Sequence, residues 1–235
     1  MDTAYARTVL ALQERDSAYD ALIAKLNAAT SLRHGETGQH IERVGALAAY
    51  LAKIVGQSDC YCATIHRAAP LHDVGKILVP DHILQKPAAL SDAERALMAL
   101  HVEAGVLLLD GAVHPVLVMA KEIAQHHHER WDGTGYPHRI HTTEIPLCAR
   151  ITTVVDVFDA VTNDRVYRPA LSRAEVIDII KKGSGTHFDP HLAITLLDRL
   201  DEFTHIQELV DSEFKEGGSA SEAPLTVLRK RLKGR

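Results

Sequence analysis

The residues from His72 to Lys76 are the part of the sequence best suited to chemistry. An adjacent histidine and aspartate can offer an imidazole nitrogen and a bridging carboxylate to one metal cluster, and Lys76 adds a cation beside them. Such a pair also occurs by chance, but here it is accompanied by other residues of the types that bind divalent transition metals. These are His40, His101, His127, His128 and Asp156, with Glu36 one helical turn before His40. The whole set indicates a metal-dependent hydrolase.

The spacing of these residues supports a shared site. Glu36 and His40 are four residues apart, so on a helix their side chains lie on one face. Asp156 lies within an apolar segment, where a buried carboxylate is costly unless a charged group or a metal meets it. Each residue alone has an ordinary alternative, such as a hydrogen-bonded core histidine or, for Glu36, a carboxylate that complements the helix dipole. Because the candidates are spread over separate helical segments, we interpret them together as one metal centre.

Composition limits the class of protein. The 235 residues allow one large domain with appendages, and alanine and leucine dominate over aromatic residues (5%), which favours helices. A net charge of −5 argues against a nucleic-acid partner. Three cysteines with no C-x-x-C pair are typical of reduced residues in a cytoplasmic protein. We expect no membrane span, because no apolar run reaches about 18 residues, and no signal peptide.

Hydrophobic periodicity predicts an all-α protein. Residues 3–29 form a helix whose apolar positions, from Tyr5 to Leu26, follow a heptad-like spacing that Asp16 interrupts. This helix either packs on its own domain or forms a dimeric signalling helix below an upstream sensor. Further helices are predicted at 39–55, from Ser58 or Asp59 to His72-Asp73, and at 91–110, 114–129, 147–163, 173–182, 190–201 and 204–214. Loops are predicted at 77–90 and 130–146.

We divide the chain into three parts. Residues 1–29 form the signalling or packing helix, 30–205 the catalytic domain, and 206–235 a short helix with a disordered basic tail. Capping boxes that begin at Ser91 and Ser172 mark the starts of two helices of the central part.

The motifs resemble those of a known family. His40, the pair His72-Asp73, and Asp156 resemble the signature of the HD superfamily of metal-dependent phosphohydrolases. Longer stretches at 39–44, 72–76, 127–137, 156–160 and 164–169 are similar to its HD-GYP subgroup, and the match covers about 30–205. Val166 departs from the pattern, because many members have proline there. The resemblance implies an HD-domain helical bundle with an amphipathic, possibly coiled-coil, N-terminal helix.

The resemblance also implies roles for individual residues. Asp73 is a bridging ligand and a catalytic residue, Lys76 is catalytic and binds substrate, and Arg165 and Arg168 bind substrate. The metal ligands are Glu36, His40, His72, Asp73, His101, His127, His128 and Asp156. They would hold two or three divalent transition metals, iron or manganese in most members. The loop with Gly135, Tyr136 and Pro137 is a lid or partner surface, or else Tyr136 and Trp131 anchor it to the core.

The implied activity is hydrolysis of cyclic di-GMP to linear pGpG, and to GMP by a second cut, in bacterial second-messenger signalling. The implied partners are a sensor or response-regulator domain, diguanylate cyclase domains at the Gly135–Pro137 loop, and a second copy through the N-terminal helix. Two alternatives stay open: an interaction module that responds to cyclic dinucleotides without hydrolysing them, and a di-iron oxygenase or other nucleotide phosphohydrolase of the same fold. Mixed cyclic GMP–AMP is a further candidate substrate.

Overall fold

The structure is a computed structural model that describes residues 3–34, 38–164 and 169–215. These residues form helices and connecting turns, and their only strand-like feature is an isolated bridge between Ser184 and Phe188. The predicted all-α class is confirmed. The helices are α1 (Thr3–His34), α2 (Gly38–Ile54), α3 (Asp59–Ala68), α4 (Asp81–Leu84), α5 (Asp92–Ala99), α6 (His101–Leu108), α7 (Pro115–His126), α8 (Leu147–Thr162), α9 (Arg173–Gly183), α10 (Pro190–Asp198) and α11 (Leu200–Lys215), and 3₁₀ turns lie at Ala69–Leu71, Val74–Leu78 and Thr142–Glu144.

Helix α2 is the centre of the core. Its residues from Val44 to Ala52 are all buried, and it packs against α3, α8 and α11. The many alanines of this helix allow its neighbours to approach closely. At Gly45 an added Cβ would lie 2.5 Å from the carbonyl oxygen of His66 in α3, so only glycine fits this crossing. Burial of the large apolar side chains against α2 contributes about 1.5–3 kcal/mol each.

Local signals set several helix starts. Both predicted capping boxes are confirmed: Ser91 and Glu94 exchange hydrogen bonds at the start of α5, and Ser172 and Glu175 do so at the start of α9. Ser58 caps α3 by accepting the backbone N–H of Tyr61 at 3.2 Å. Each cap satisfies a donor that the first helical turn leaves unpaired.

The structure corrects several of the predicted boundaries. Helix α3 ends at Ala68 instead of continuing to Asp73, because Pro70 follows and a proline lacks the N–H that the helix needs. The predicted loop 77–90 contains the short helix α4. The predicted helix 91–110 breaks at Leu100 into α5 and α6, where α6 packs on the Val74–Leu78 turn.

Helix α1 packs on the domain mainly through its second half. Ile23 and Thr30 are buried, the Tyr19 ring lies against the His114 ring with centroids 4.2 Å apart, and α1 packs against the Val74–Leu78 turn. In the first half, Tyr5 is 66% exposed. The packing interpretation therefore holds for the second half, while a coiled-coil dimer stays a prediction. The helix continues past the predicted end at residue 29 to His34.

Helix α11 crosses the predicted domain boundary between residues 205 and 206, and the three-part division stays a prediction. The predicted basic tail, from residue 216 onward, lies outside the described residues. Among the helices that the structure describes, none combines the length and hydropathy that crossing a membrane requires.

Candidate metal centre

The structure brings seven of the eight predicted metal ligands together in two adjacent groups. In the first, the Asp73 cluster, donor atoms of Asp73, His101, His127 and His128 all lie within 4.8 Å of one another. In the second, the Asp156 cluster, the same holds for His40, His72 and Asp156. Glu36, the eighth predicted ligand, lies outside the described residues.

Five separate segments position these side chains. His40 comes from α2, Asp156 from α8, and His101 is the first residue of α6 and not, as predicted, within a longer helix. His127 and His128 directly follow α7, and His72 and Asp73 occupy the turn between two 3₁₀ segments. Because that turn is not α-helical, both neighbouring side chains can point to one site.

Asp73 lies between the two clusters. Its Oδ1 is 3.3 Å from His101 Nε2 and 3.7 Å from His127 Nε2, both in the Asp73 cluster. Its Oδ2 is 3.2 Å from His72 Nε2 of the Asp156 cluster. One carboxylate thus reaches both groups, as a ligand that bridges two metal ions would.

The orientation of the imidazole rings fits metal binding. Nδ1 of His72 donates to Ala69 O at 2.9 Å, that of His101 to Met98 O at 2.8 Å, and that of His127 to two carbonyl oxygens at 3.1 Å. A carbonyl oxygen only accepts, so each Nδ1 carries a proton, and Nε2 is the nitrogen whose lone pair can bind a metal. Nε2 of His101 and Nε2 of His127 face each other at 3.4 Å. Two lone pairs so placed repel unless a cation binds them.

Electrostatics keep these groups in their metal-binding forms. Burial lowers the pKa of His101 to about 4 and that of His128 well below its usual value, so both rings are neutral near pH 7. Burial alone would raise the pKa of Asp73, but the positive charge of Lys76 holds it well below the usual range. Lys76 Nζ lies 2.5 Å from Asp73 Oδ2. Neutral imidazoles beside ionised carboxylates are the donor set that divalent transition metals prefer.

A model of the HD-domain family matches residues 23–192, which is most of the chain. The chain belongs to the HD-domain family. Among known proteins, this HD domain is 41% identical to the 3′3′-cGAMP-specific phosphodiesterase 2 of Vibrio cholerae, over 79% of the chain and 36% of that protein. It is 42% identical to a cyclic di-GMP phosphodiesterase of Vibrio cholerae, over 80% of the chain and 41% of that protein.

A cyclic di-GMP phosphodiesterase of Thermotoga maritima is 39% identical over 77% of the chain and 49% of its own length. The HD domain thus spans less than half the length of these relatives. A crystal structure of a cyclic GMP-AMP specific phosphodiesterase from Vibrio cholerae has the same fold, with a TM-score of 0.58 at 16% identity over 82% of this chain and 52% of that one. The predicted resemblance to HD-GYP-type phosphohydrolases is confirmed.

The loop after His127 and His128 is anchored to the HD domain. Tyr136 donates its backbone N–H to His128 O at 3.2 Å, and its ring stacks on the His128 ring with centroids 4.6 Å apart. A Cβ on Gly135 would lie 2.4–2.6 Å from backbone atoms of residues 128–130, so only glycine allows this approach. Tyr136 therefore anchors the loop, as one of the two predicted alternatives has it, and its side chain is 37% exposed. A partner surface on Gly135, Tyr136 and Pro137 stays a prediction.

Three residues with predicted roles lie outside the described residues: the predicted ligand Glu36 and the predicted substrate-binding residues Arg165 and Arg168. Val166 lies outside them as well. One residue of the site was not predicted from the sequence: Asp159, which is buried and accepts a hydrogen bond from His40 Nδ1 at 2.8 Å. A signal was present, because Asp156 and Asp159 are three residues apart and share a helix face.

Replacing Tyr136 tests its support of His128. Tyr136→Ala removes a stacked ring worth about 0.5–1.5 kcal/mol, so we expect metal affinity at the Asp73 cluster to fall roughly two- to tenfold. Tyr136→Phe keeps the ring and is expected to bind metal as the parent does. Titration of metal-free protein with Mn²⁺ measures both. A phenylalanine variant as weak as the alanine variant would assign the effect to the hydroxyl and contradict the stacking role.

Proposed function

We propose that this HD domain is a metal-dependent phosphodiesterase that hydrolyses cyclic di-GMP to linear pGpG and then to GMP. The observation that carries the proposal is the buried carboxylate of Asp73 between two groups of imidazoles whose Nε2 atoms converge. The names of relatives at 39% and 42% identity support the cyclic dinucleotide as substrate. Relatives named as cGAMP-specific favour mixed cyclic GMP–AMP as a second candidate.

The proposed cofactor is a set of two or three divalent ions, iron or manganese, held by the Asp73 and Asp156 clusters with Glu36. Such ions supply positive charge for the phosphate oxygens and lower the pKa of water. Asp73 fits the ligand role because it is ionised and reaches both clusters. The number and identity of the ions belong to the proposal.

Lys76 has the charge and the place of a substrate-binding group. Its side chain is only partly exposed, and Nζ lies at Asp73, where the scissile phosphate would sit. There it holds the phosphate and assists the departing oxygen. Arg165 and Arg168 are proposed to bind the second phosphate or a guanine edge, since arginine presents a planar fork of donors.

The partners and location are also proposals. An upstream sensor or response-regulator domain fits the length of the relatives, which is at least twice the span that this chain matches. Helix α1 would connect such a domain to the Val74–Leu78 turn, on which it packs next to Asp73. We also propose a dimer through the exposed half of α1, diguanylate cyclase domains as partners of the Gly135–Pro137 loop, and the cytoplasm as location.

The test is turnover by protein of known metal content. Metal-free protein is loaded anaerobically with Fe²⁺ or Mn²⁺ and incubated with cyclic di-GMP, 3′3′-cGAMP or ppGpp, and the products are separated by chromatography. We expect pGpG first, then GMP, and no product without metal. Cyclic dinucleotide binding without turnover would favour the interaction module. Oxygen consumption with no phosphodiester cleavage would favour the oxygenase.

A further inference from the structure

A buried polar network lies behind His40. Asp159, only 1% exposed, accepts a hydrogen bond from His40 Nδ1 on its Oδ2 at 2.8 Å. Arg43 donates to both oxygens of the same carboxylate, from Nε to Oδ1 at 2.6 Å and from Nη2 to Oδ2 at 3.1 Å. A carboxylate held by the guanidinium of Arg43 in this way accepts hydrogen bonds, which places the His40 proton on Nδ1 and turns Nε2 toward Asp156, 3.5 Å away.

Helix α11 completes this network. Gln207, 5% exposed, donates from Nε2 to Asp159 Oδ1 at 2.7 Å and to Thr162 Oγ1 at 2.8 Å. Asp211 accepts from Arg43 Nη1 at 2.7 Å. Both residues lie beyond the part of the chain that matches the HD-domain family and beyond the predicted domain boundary at residue 205.

The network leaves little freedom to the His40 ring. A buried carboxylate is stable in one position only while its donors are in place, and removing one donor lets the group move or lose its charge. Gln207 fixes one oxygen of Asp159 from the side of α11, and Asp211 neutralises and orients the guanidinium that holds both oxygens. The position of His40 Nε2 therefore depends on two side chains of the last described helix.

We propose that Gln207 and Asp211 are positioning residues of the metal centre, which act through Asp159 and Arg43 to set the metal affinity of the Asp156 cluster. This rests on the proposed function only in that the Asp156 cluster binds a metal. It makes α11 a part of the metal-binding unit. Supporting residues of this kind change metal affinity by about 10- to 100-fold when lost.

The test uses Asp211→Asn and a matched control, Asp201→Asn. Both aspartates are on α11 and both pair with an arginine at 2.7 Å, but Asp201 and its partner Arg173 are exposed. Metal-free protein is titrated with Mn²⁺ while free Mn²⁺ is followed by electron paramagnetic resonance. We expect Asp211→Asn to weaken one Mn²⁺ site about 10- to 100-fold and to leave the other sites unchanged. Asp201→Asn is expected to bind as the parent does.

A second variant, Gln207→Leu, removes both donations of Gln207 and is expected to weaken the same site. Thermal unfolding of the metal-free variants separates this role from a structural one, because a structural role would lower the unfolding temperature without weakening one site selectively. Since Asp211→Asn keeps the side-chain shape at a partly exposed position, it carries the test if Gln207→Leu does not fold. Unchanged Mn²⁺ affinities in the folded variants would overturn the inference. A parent protein that binds no Mn²⁺ or Fe²⁺ would instead overturn the proposed function.

Discussion

Asp73→Asn is expected to abolish hydrolysis of cyclic di-GMP, with kcat at least about a thousandfold lower, which corresponds to about 4 kcal/mol of lost transition-state stabilisation. Asparagine has nearly the same shape, but it lacks the negative charge that serves both clusters at once. In Asp73, one carboxylate oxygen lies 3.2 Å from His72 and the other lies 3.3 Å from His101. In asparagine an amide nitrogen replaces one of these oxygens and cannot bind a metal, so the side chain can no longer serve both clusters. We expect the number of metal ions bound per chain to fall together with kcat. Metal analysis and turnover of the same sample measure both.

The control for this substitution is Asp110→Asn. Asp110 also forms a carboxylate–lysine pair, with Lys121 at 2.5 Å, the same distance as between Asp73 and Lys76. It is exposed and belongs to neither cluster, so its loss is expected to leave metal content and kcat unchanged. An Asp73→Asn protein that turns over cyclic di-GMP as fast as the parent would show that the two clusters are not the catalyst.

Residue types and motifs were sufficient to predict seven side chains that converge, because a metal centre needs particular donor atoms wherever the chain supplies them. They did not predict how His101 is presented. Its segment is apolar enough to be taken as one helix, but the break at Leu100 results from packing of α6 on the Val74–Leu78 turn, a contact between distant parts of the chain. No local pattern encodes that contact.

The division of roles between Asp156 and Asp159 shows a second limit. Both lie on one face of α8, but the Asp156 side chain is 29% exposed and points into the cluster, whereas Asp159 is buried behind His40. The burial of each carboxylate on this face of α8 decides which one reaches the Asp156 cluster and which one supports His40. The burial of Asp159 depends on α11, whose Gln207 is 48 residues away in the sequence.

The end of α3, in contrast, has a local signal in the sequence, which is Pro70. A proline interrupts helical hydrogen bonding, so Pro70 favours an end of α3 before His72, although the helix was predicted to continue to Asp73. The apolar periodicity of the segment continues past it and favoured a longer helix. The early end matters for the site, since it lets the backbone leave helical geometry at Asp73, where φ is −101° and ψ is 12°.

Gly75→Ala is expected to damage the metal centre although Gly75 binds nothing. An added Cβ would lie 1.9 Å from the carbonyl oxygen of His101 and 2.4 Å from the backbone nitrogen of Gly105. Both are backbone atoms of α6, so the methyl group can be accommodated only if α6 moves away from the turn that carries Asp73. That movement would separate His101 from Asp73. Overpacking of this kind costs about 1–3 kcal/mol of stability or more, and a displacement of about 1 Å at a reacting site can cost about 100-fold in rate.

We therefore expect Gly75→Ala to lose about 100-fold in kcat, to bind less metal at the Asp73 cluster, and to unfold at a lower temperature. Gly105→Ala is the matched control, because it adds a methyl group to the same interface at 3.2 Å from the Ala124 side chain, so the neighbour must give way by only a few tenths of an ångström. Its kcat and metal content are expected to stay close to those of the parent. If Gly75→Ala keeps the parent's metal content, rate and unfolding temperature, then close contact between α6 and the His72–Lys76 turn does not set the position of His101. The same measurement on Gly105→Ala shows whether this interface tolerates added volume at all.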